Sequence, residues 1–267
     1  MEIISCPYCG CKQSKSVWHS SEFNYVKCKT CGLVYQNPRP TFDDLKNNVY
    51  IEKYFQYELR NQDNFFHLME LNLKDLKFWE LTKNFSGKKR FLDIGSATGL
   101  LLNHMKQKGW EPDGVELCKE SAEYCESHFQ IKVHQTYLEN VQFADNTFEA
   151  VHMSHVIEHV PSPLATLKEI YRIMKKKGLF VIVTPNIDSF QARWFKENWR
   201  SSHKDHLTLF STKTLRNHLQ NVGFTIVKQF SYGGIGVGLA PKSIKKIVDF
   251  IVRKINYGDV TAFLCQK

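Results

Sequence analysis

Apolar residues follow two different spacings between residues 88 and 185. Short, mainly apolar runs predict strands, and the longer segments between them carry apolar positions at helical spacing. A regular alternation of strands and helices indicates a parallel sheet, so the chain is predicted to be an α/β protein. The predicted strands are Arg90–Ile94, Pro112–Glu116, Ile131–Gln135, Phe148–Met153 and Gly178–Thr184, and the predicted helices are Ala97–Lys108, Cys118–Phe129 and Leu164–Met174.

The flanking segments have other patterns. From Phe42 to Lys83 apolar residues recur every three to five positions, which predicts two or three helices before the sheet. Residues 211–222 predict a further helix, and Phe224–Phe230 and Val260–Gln266 predict the last strands. Because two prolines in Asn37–Pro40 favour extended structure, we place a first boundary there. The predicted units are residues 1–40, a helical linker or lid at 41–86, and a main domain at 87–267.

Composition narrows the class of protein. The chain has 267 residues, of which 42% are hydrophobic and 24% charged, and it contains no apolar stretch long enough to span a bilayer. Disordered and transmembrane proteins are therefore excluded. The first residues lack a basic segment followed by an apolar one, so the sequence predicts a cytoplasmic protein.

Eight cysteines without an export signal favour metal binding or free thiols over disulfides. Two C-x2-C pairs, Cys6 with Cys9 and Cys28 with Cys31, lie 18 residues apart. Each pair points two thiolates at one ion, and two pairs complete the closed tetrahedral shell of a structural zinc site. We therefore predict a small zinc ribbon over residues 1–40, and we leave Cys11 outside the site.

The net charge of +9 is unevenly distributed. Residues 1–40 carry a net +3, residues 41–185 carry −2 and residues 186–267 carry +8. Basic ends around a near-neutral middle favour an anionic partner held by the ends. Nucleic acid, a nucleotide-linked metabolite and a carrier phosphopantetheine all have this charge.

A glycine-containing loop follows the first predicted strand. Gly95 allows a tight turn and Gly99 lets the next helix start close to the strand, in the crevice where open α/β sheets bind ligands. The loop matches neither common pyrophosphate-binding pattern. Glu116, 21 positions beyond Gly95 at the end of the second strand, is suited to accept both hydroxyls of a ribose. Together these features predict an adenosine-type cofactor.

The segments FLDIGSATG, GVE, DNTFEAVHMSHVIEHV and GLFVIVTPN resemble, in order, motifs of class I S-adenosylmethionine (SAM)-dependent methyltransferases over about residues 88–230. The resemblance implies a Rossmann-like, seven-stranded sheet with an antiparallel last strand, and SAM as cofactor. It also implies that Asp93, Gly95 and Gly99 hold the methionine part, Glu116 the ribose and Leu117 the adenine. The other cofactor residues that it suggests are Ser96, Thr136, His155 and, in a lid before the core, Tyr50.

His203–Phe210 and the lid are similar to a subgroup found often among sugar and natural-product methyltransferases. Methyl transfer to a hydroxyl or amine needs alignment and removal of a proton, for which histidine is suited. We predict His206 as the general base and His159 as the second candidate. His155 and Glu158 complete the candidate catalytic set.

The string His155-x-x-Glu158-His159 has other interpretations. If the segment were helical, the two histidines would share one face. An inverted metalloprotease motif is strongly disfavoured, because that motif belongs on a long helix and this one lies between a predicted strand and Pro161. These residues and His206 are similar to the ligands of metal-dependent methyltransferases with an E-x-x-E-H motif, so they are also candidates to hold a divalent ion. Alternatively, Glu158 and His159 form a hydrogen-bonded pair that only orients the loop.

Three functions stay open on the sequence. The main hypothesis is methyl transfer from SAM to a small, anionic acceptor, with a nucleotide- or carrier-linked sugar as the favoured class. An RNA base methyltransferase is the alternative, because a zinc module before this fold also resembles a family of ribosomal RNA enzymes. A binding scaffold without catalysis is the third.

Overall fold

A computed structural model describes residues 1–41, 52–234 and 241–267. The described elements form two sheets, one built around the N-terminal cysteines and one at the centre of the chain. The strands are β1 (Ser14–His19), β2 (Asn24–Cys28), β3 (Val34–Gln36), β4 (Arg90–Ile94), β5 (Glu111–Val115), β6 (Val133–His134), β7 (Phe148–Ser154), β8 (Met174–Pro185), β9 (Thr208–Leu209), β10 (Thr225–Tyr232) and β11 (Val260–Gln266).

The described helices surround the larger sheet and belong mainly to its crossover connections. They are α1 (Glu52–Asp75), α2 (Phe78–Thr82), α3 (Leu100–Gln107), α4 (Lys119–Phe129), α5 (Leu138–Val141), α6 (Pro163–Ile173), α7 (Phe190–Phe195), α8 (Thr212–Val222) and α9 (Lys242–Ile255). Helices α1 and α2 confirm the helical interpretation of the segment before the sheet, as far as the described residues reach.

The seven-stranded sheet has the order β10-β11-β8-β7-β4-β5-β6. Strands β4 to β8 run parallel, and β11 runs antiparallel to both β8 and β10. The predicted α/β fold with an antiparallel C-terminal strand is therefore confirmed. Most of β8 is buried, as expected of a strand with helices on both faces.

Alternate residues of each central strand feed two separate cores. Leu92, Val151 and Phe180 face one core, while Phe91, Ala150 and Val181 face the other. Successive side chains of a strand point to opposite faces, so this division follows from the sequence period of two. Helix starts are fixed locally: Ser162 and Ser211 cap α6 and α8 by accepting hydrogen bonds from backbone N–H groups of the first turns.

Several predicted boundaries move by a few residues. The first crossover helix begins at Leu100 rather than at Ala97, because Ala97 and Gly99 adopt positive φ angles of 45° and 82° that a helix does not tolerate. The third predicted strand shortens to Val133–His134. Among the described helices, none combines the length and the apolar character that a bilayer-spanning segment requires.

The N-terminal sheet is completed by a strand from far along the chain. Its order is β1-β2-β3-β9, so the two-residue strand β9 supplies the fourth member. Strand β3 pairs antiparallel with β9, with Val34 opposite Leu209 and Tyr35 opposite Thr208. Apolar side chains of the N-terminal segment, among them Leu33 and Tyr35, belong to the same core as one face of the large sheet. This segment therefore packs as part of the main body.

Candidate functional site

The loop after β4 forms a crevice at the carboxyl end of the parallel strands. Gly95 and Gly99 have φ angles of 74° and 82°, which only glycine adopts readily. The N–H of Gly95 donates to the carbonyl of Val115 at 2.8 Å, which ties the loop to the neighbouring strand β5. A Cβ at Gly99 would lie 2.2 Å from Sγ of Cys125, so the end of the loop packs directly against helix α4 and leaves no room for a side chain at this position.

Glu116 lies beside this loop and is 4% exposed. Oε2 accepts from the N–H of Ala97 at 2.9 Å, and Oε1 accepts from the N–H groups of Leu117 and Cys118, both at 2.8 Å. Burial raises the pKa of Glu116 above its ordinary value, although these three hydrogen bonds favour the ionised form. The backbone thus fixes the orientation of a buried carboxylate beside the loop.

Asp93 is held by a residue that the sequence reasoning missed. Its Oδ1 lies 2.7 Å from Nδ1 of His152, and both side chains are almost fully buried. Burial raises the pKa of Asp93, and the neighbouring imidazole only partly opposes this. The two residues face each other because β4 and β7 pair in parallel with Asp93 opposite His152. Only the strand register reveals this contact.

Helix α1 forms the outer wall of the crevice. Glu58, Gln62 and Phe65 line a cavity together with Ser96 and Ala97 of the loop. Burial, followed by repulsion from Glu116, raises the pKa of Glu58 from 4.5 to about 7. Sequence reasoning also missed Glu58, since nothing in the spacing of the helix shows which end of α1 crosses the loop.

The other predicted cofactor residues fall around the same crevice or outside the described chain. Ser96 is buried, and its Oγ has no hydrogen-bond partner within residues 1–41, 52–234 and 241–267. Leu117 is half-buried next to Glu116, and Thr136 is half-buried after β6 with its Oγ1 accepting from Asn140. Tyr50 lies outside the described residues. An unpartnered buried hydroxyl beside two tight turns suits a polar ligand at this place.

The segment after β7 is a turn and does not form a helix. His155 adopts a positive φ of 56°, and residues 157–159 form a turn, so the shared helix face considered for His155 and His159 does not exist. Glu158 is fully buried and its Oε2 accepts from Oγ1 of Thr184 at 2.9 Å. Burial opposes ionisation of Glu158, but the imidazoles of His155, 3.3 Å away, and His159 outweigh it and lower its pKa.

His159 and His206 come together although they are 47 positions apart in sequence. Their ring centroids are 4.6 Å apart. Nδ1 of His159 lies 2.8 Å from the carbonyl of Asp205, and Nδ1 of His206 lies 2.9 Å from the carbonyl of Ser201. Because a carbonyl only accepts, Nδ1 of each ring carries a proton, and Nε2 is the atom through which a neutral ring can accept one.

The chemistry of this cluster follows from its burial. His206 is 6% exposed, and burial followed by repulsion from His159 and His203 lowers its pKa well below the ordinary value. A neutral imidazole with an available Nε2 can accept a proton near neutral pH. One donor atom each of Glu158, His159 and His206 lies within 4.8 Å of the others, so the cluster can also hold a divalent ion.

Val156 connects the histidine cluster with the cofactor crevice. A Cβ at Gly95 would lie 2.3 Å from Cγ2 of Val156, so the crevice loop packs directly on the turn that contains His155 and Glu158. The loop with Gly95 and the turn with His155 and Glu158 therefore lie side by side at the carboxyl edge of β4 and β7.

The four predicted metal-binding cysteines converge at the N-terminal sheet. Sγ of Cys6 lies 3.5 Å from that of Cys31, and Sγ of Cys9 lies 3.5 Å from that of Cys28. All four sulfur atoms lie within 4.8 Å of one another. A tetrahedral zinc with Zn–S bonds of about 2.3 Å needs similar separations, so the arrangement fits this ion.

Comparisons with known proteins agree with the fold. The family described as a methyltransferase domain matches residues 65–229. An uncharacterised protein of Methanocaldococcus jannaschii is 29% identical over 151 residues, which cover 56% of this chain and 71% of that protein. A ubiquinone biosynthesis O-methyltransferase of Vibrio cholerae is 27% identical over 110 residues, 38% of this chain and less than half (45%) of that enzyme. Among solved structures, a SAM-dependent methyltransferase from Archaeoglobus fulgidus matches with a TM-score of 0.56 at 23% identity, covering 80% of this chain and 99% of that one.

Proposed function

Because this chain belongs to the methyltransferase-domain family and is a SAM-dependent methyltransferase, we propose that it methylates a small anionic acceptor with His206 as the general base. A nucleotide- or carrier-linked sugar is the favoured acceptor class. The observation that carries the proposal is the cluster of Glu158, His159 and His206 beside the cofactor crevice. Bound SAM supplies an electrophilic methyl group, and the chain supplies alignment and a proton acceptor.

Each part of the crevice has a role in this proposal. Glu116 accepts the ribose hydroxyls mainly through Oε2, because Oε2 accepts only one backbone N–H whereas Oε1 already accepts two. Gly95 and Ser96 contact the methionine part, and Leu117 covers the adenine. Asp93 lies just before the loop, and its carboxylate is engaged by His152, so this pair orients the loop.

The acceptor proton goes to Nε2 of His206. Its Nδ1–H is fixed by the carbonyl of Ser201, which leaves Nε2 as the nitrogen that can accept a proton. The lowered pKa keeps His206 unprotonated at pH 7 before the reaction, and the same shift makes it a weaker base that needs stabilisation of its protonated form. Glu158, ionised beside the imidazoles, stabilises the positive charge that His206 acquires. The net charge of +8 in residues 186–267 favours an anionic acceptor on this side.

Two further assignments belong to the proposal. A structural zinc is held by Cys6, Cys9, Cys28 and Cys31. A divalent ion at Glu158, His159 and His206 is the second mechanism, favoured by the convergence of their donor atoms; such an ion would acidify the acceptor hydroxyl. An RNA acceptor is less well supported, because the ribbon directs Tyr8 and Tyr25 into contacts with the main domain.

The test is transfer of tritium from [methyl-3H]SAM into a deproteinised small-molecule extract and, separately, into purified total RNA. Wild-type protein should label the small-molecule fraction. His206→Asn should lower the rate by about 100-fold or more, the range for loss of a general base. The matched control is His203→Asn, whose ring lies 3.8 Å from that of His206 but outside the cluster, and it should lose less than about tenfold. Labelling of RNA alone would contradict the proposal.

A further inference from the structure

The ribbon contacts the segment that carries His206. Residues 199–207 contain no helix or strand of their own and run as a turn-rich segment into β9. Strand β3 pairs with β9, and the N–H of Gln36 donates to the carbonyl of Leu207 at 2.9 Å. The position of this segment therefore depends on partners outside it.

Two side chains of the ribbon hold the backbone of this segment directly. Nε2 of Gln36 lies 2.8 Å from the carbonyl of His206 and 3.1 Å from those of His203 and Lys204. The hydroxyl of Tyr25 donates toward the carbonyls of His206 at 2.7 Å and His203 at 3.0 Å. Gln36 and Tyr25 are both fully buried. Each of these buried donors would lower the free energy of unfolding by about 1–3 kcal/mol if it lost its acceptors, so the folded state strongly favours these contacts.

The same segment orients both imidazoles of the cluster. The carbonyl of Asp205 accepts from His159, and the carbonyl of Ser201 accepts from His206. These two carbonyls decide which nitrogen of each ring carries the proton and where the other one points. A shift of residues 201–206 would therefore misplace both candidate proton acceptors together. Among the described residues, the hydrogen bonds of the Gln36 and Tyr25 side chains go to this segment and to each other, not to the crevice loop after β4.

We infer that Gln36 and Tyr25 are positioning residues, through which the ribbon holds His206 and His159 in the catalytic arrangement. This inference rests on the proposed function for its catalytic meaning, but the placement of His206 is measurable without any acceptor. In this arrangement the ribbon forms one side of the acceptor half of the site.

The test compares Gln36→Leu and Tyr25→Phe with the wild-type, zinc-loaded protein. Asn24→Ala is the matched control, since Nδ2 of Asn24 donates at 2.7 Å to the carbonyl of Asn37 inside the ribbon and not to the segment. The first readout is the rate at which diethyl pyrocarbonate modifies His206, followed by mass spectrometry. The second is the affinity for SAM by calorimetry. The third is turnover and KM for SAM in the tritium assay with the small-molecule extract.

We expect both variants to label His206 about tenfold faster, the factor that corresponds to losing one buried hydrogen bond. SAM affinity and KM for SAM should stay within about twofold, and turnover should fall about tenfold or more, because small misplacements of catalytic groups are costly. The control should match the wild type in all three readouts.

Unchanged labelling of His206 in Tyr25→Phe and Gln36→Leu would overturn the inference. So would a loss of SAM affinity that parallels the loss of turnover, because that would show a general structural defect. If the wild type transfers no tritium to the extract, the proposed function fails separately, and faster labelling with intact SAM affinity would still support the positioning of His206. Tyr25→Phe keeps the ring in the core, so it decides the matter if Gln36→Leu does not fold.

Discussion

Gly95 is the position at which the cofactor loop and the histidine cluster are coupled most tightly, and Gly95→Ala tests that coupling. The new methyl group would lie 2.3 Å from Cγ2 of Val156, whereas carbon atoms in contact are normally about 3.5–4.0 Å apart. The substitution must therefore move Val156 or the loop by more than 1 Å, on the order of a bond length. Because Val156 lies between His155 and Glu158, both halves of the site would be displaced.

The expected destabilisation has two parts. Alanine at a φ of 74° costs about 1–2 kcal/mol, and forcing a methyl group into a packed contact costs about 1–3 kcal/mol more. The sum of about 2–5 kcal/mol corresponds to a decrease in Tm of about 5–15 °C for a chain of this size. Gly87→Ala is the matched control, because Gly87 has a φ of 76° and no atom within 4 Å of its ideal Cβ. It should lose only the first part.

The assay is thermal unfolding combined with SAM titration. Gly95→Ala should unfold several degrees below Gly87→Ala and bind SAM at least about tenfold more weakly. Val156→Ala removes Cγ2, so the double variant Gly95→Ala/Val156→Ala should recover part of the loss, with a coupling of about 1 kcal/mol or more. Equal losses in Gly95→Ala and Gly87→Ala, with no recovery in the double variant, would refute the contact and the coupling it implies.

Three other outcomes follow from the same geometry. Burial raises the pKa of Glu58 to about 7, so the folded protein binds this proton more tightly than the unfolded chain, and the free energy of unfolding falls as pH rises from about 4.5 to about 7. Glu58→Gln should therefore raise Tm at pH 8, with a gain of up to about 3 kcal/mol in the free energy of unfolding. The same substitution should have little effect on Tm near pH 4.5. Removing zinc with a chelator should release one ion per chain and lower Tm, whereas a protein without measurable zinc, or with unchanged Tm, would contradict the ribbon assignment. If the cluster of Glu158, His159 and His206 holds a divalent ion, cobalt added to the zinc-loaded protein should produce visible absorption in the wild type but not in Glu158→Gln. No visible absorption in the wild type would leave only the general-base mechanism.

Local signals in the sequence were sufficient for most of the sheet. Strand β11 was predicted as Val260–Gln266 and is found with the same limits, because a continuous apolar run bounded by a glycine has few alternatives. The crevice loop was predictable from its glycines, whose positive φ angles are a property of single residues. The cysteine pairs were predictable because the C-x2-C spacing alone brings two sulfur atoms together.

Several contacts between distant segments were not predictable. Asp93 and His152 meet only because two parallel strands adopt one register, and Glu58 faces the crevice only because of the path of α1. Strand β9 has two residues and no periodic pattern, so its pairing with the ribbon leaves no trace in the sequence. The turn at His155 resembled a helix by the spacing of its histidines, but its positive φ of 56° ends the strand in a tight turn.

The central claim is that the crevice binds SAM through Glu116, and calorimetric titration with SAM tests it most directly. Glu116→Ala is compared with Glu111→Ala, an exposed carboxylate at the start of β5 that pairs with Lys88. The account predicts micromolar binding to the wild type and to Glu111→Ala, and at least about tenfold weaker binding to a folded Glu116→Ala. No heat of binding to the wild type, or the same affinity in all three proteins, would contradict it.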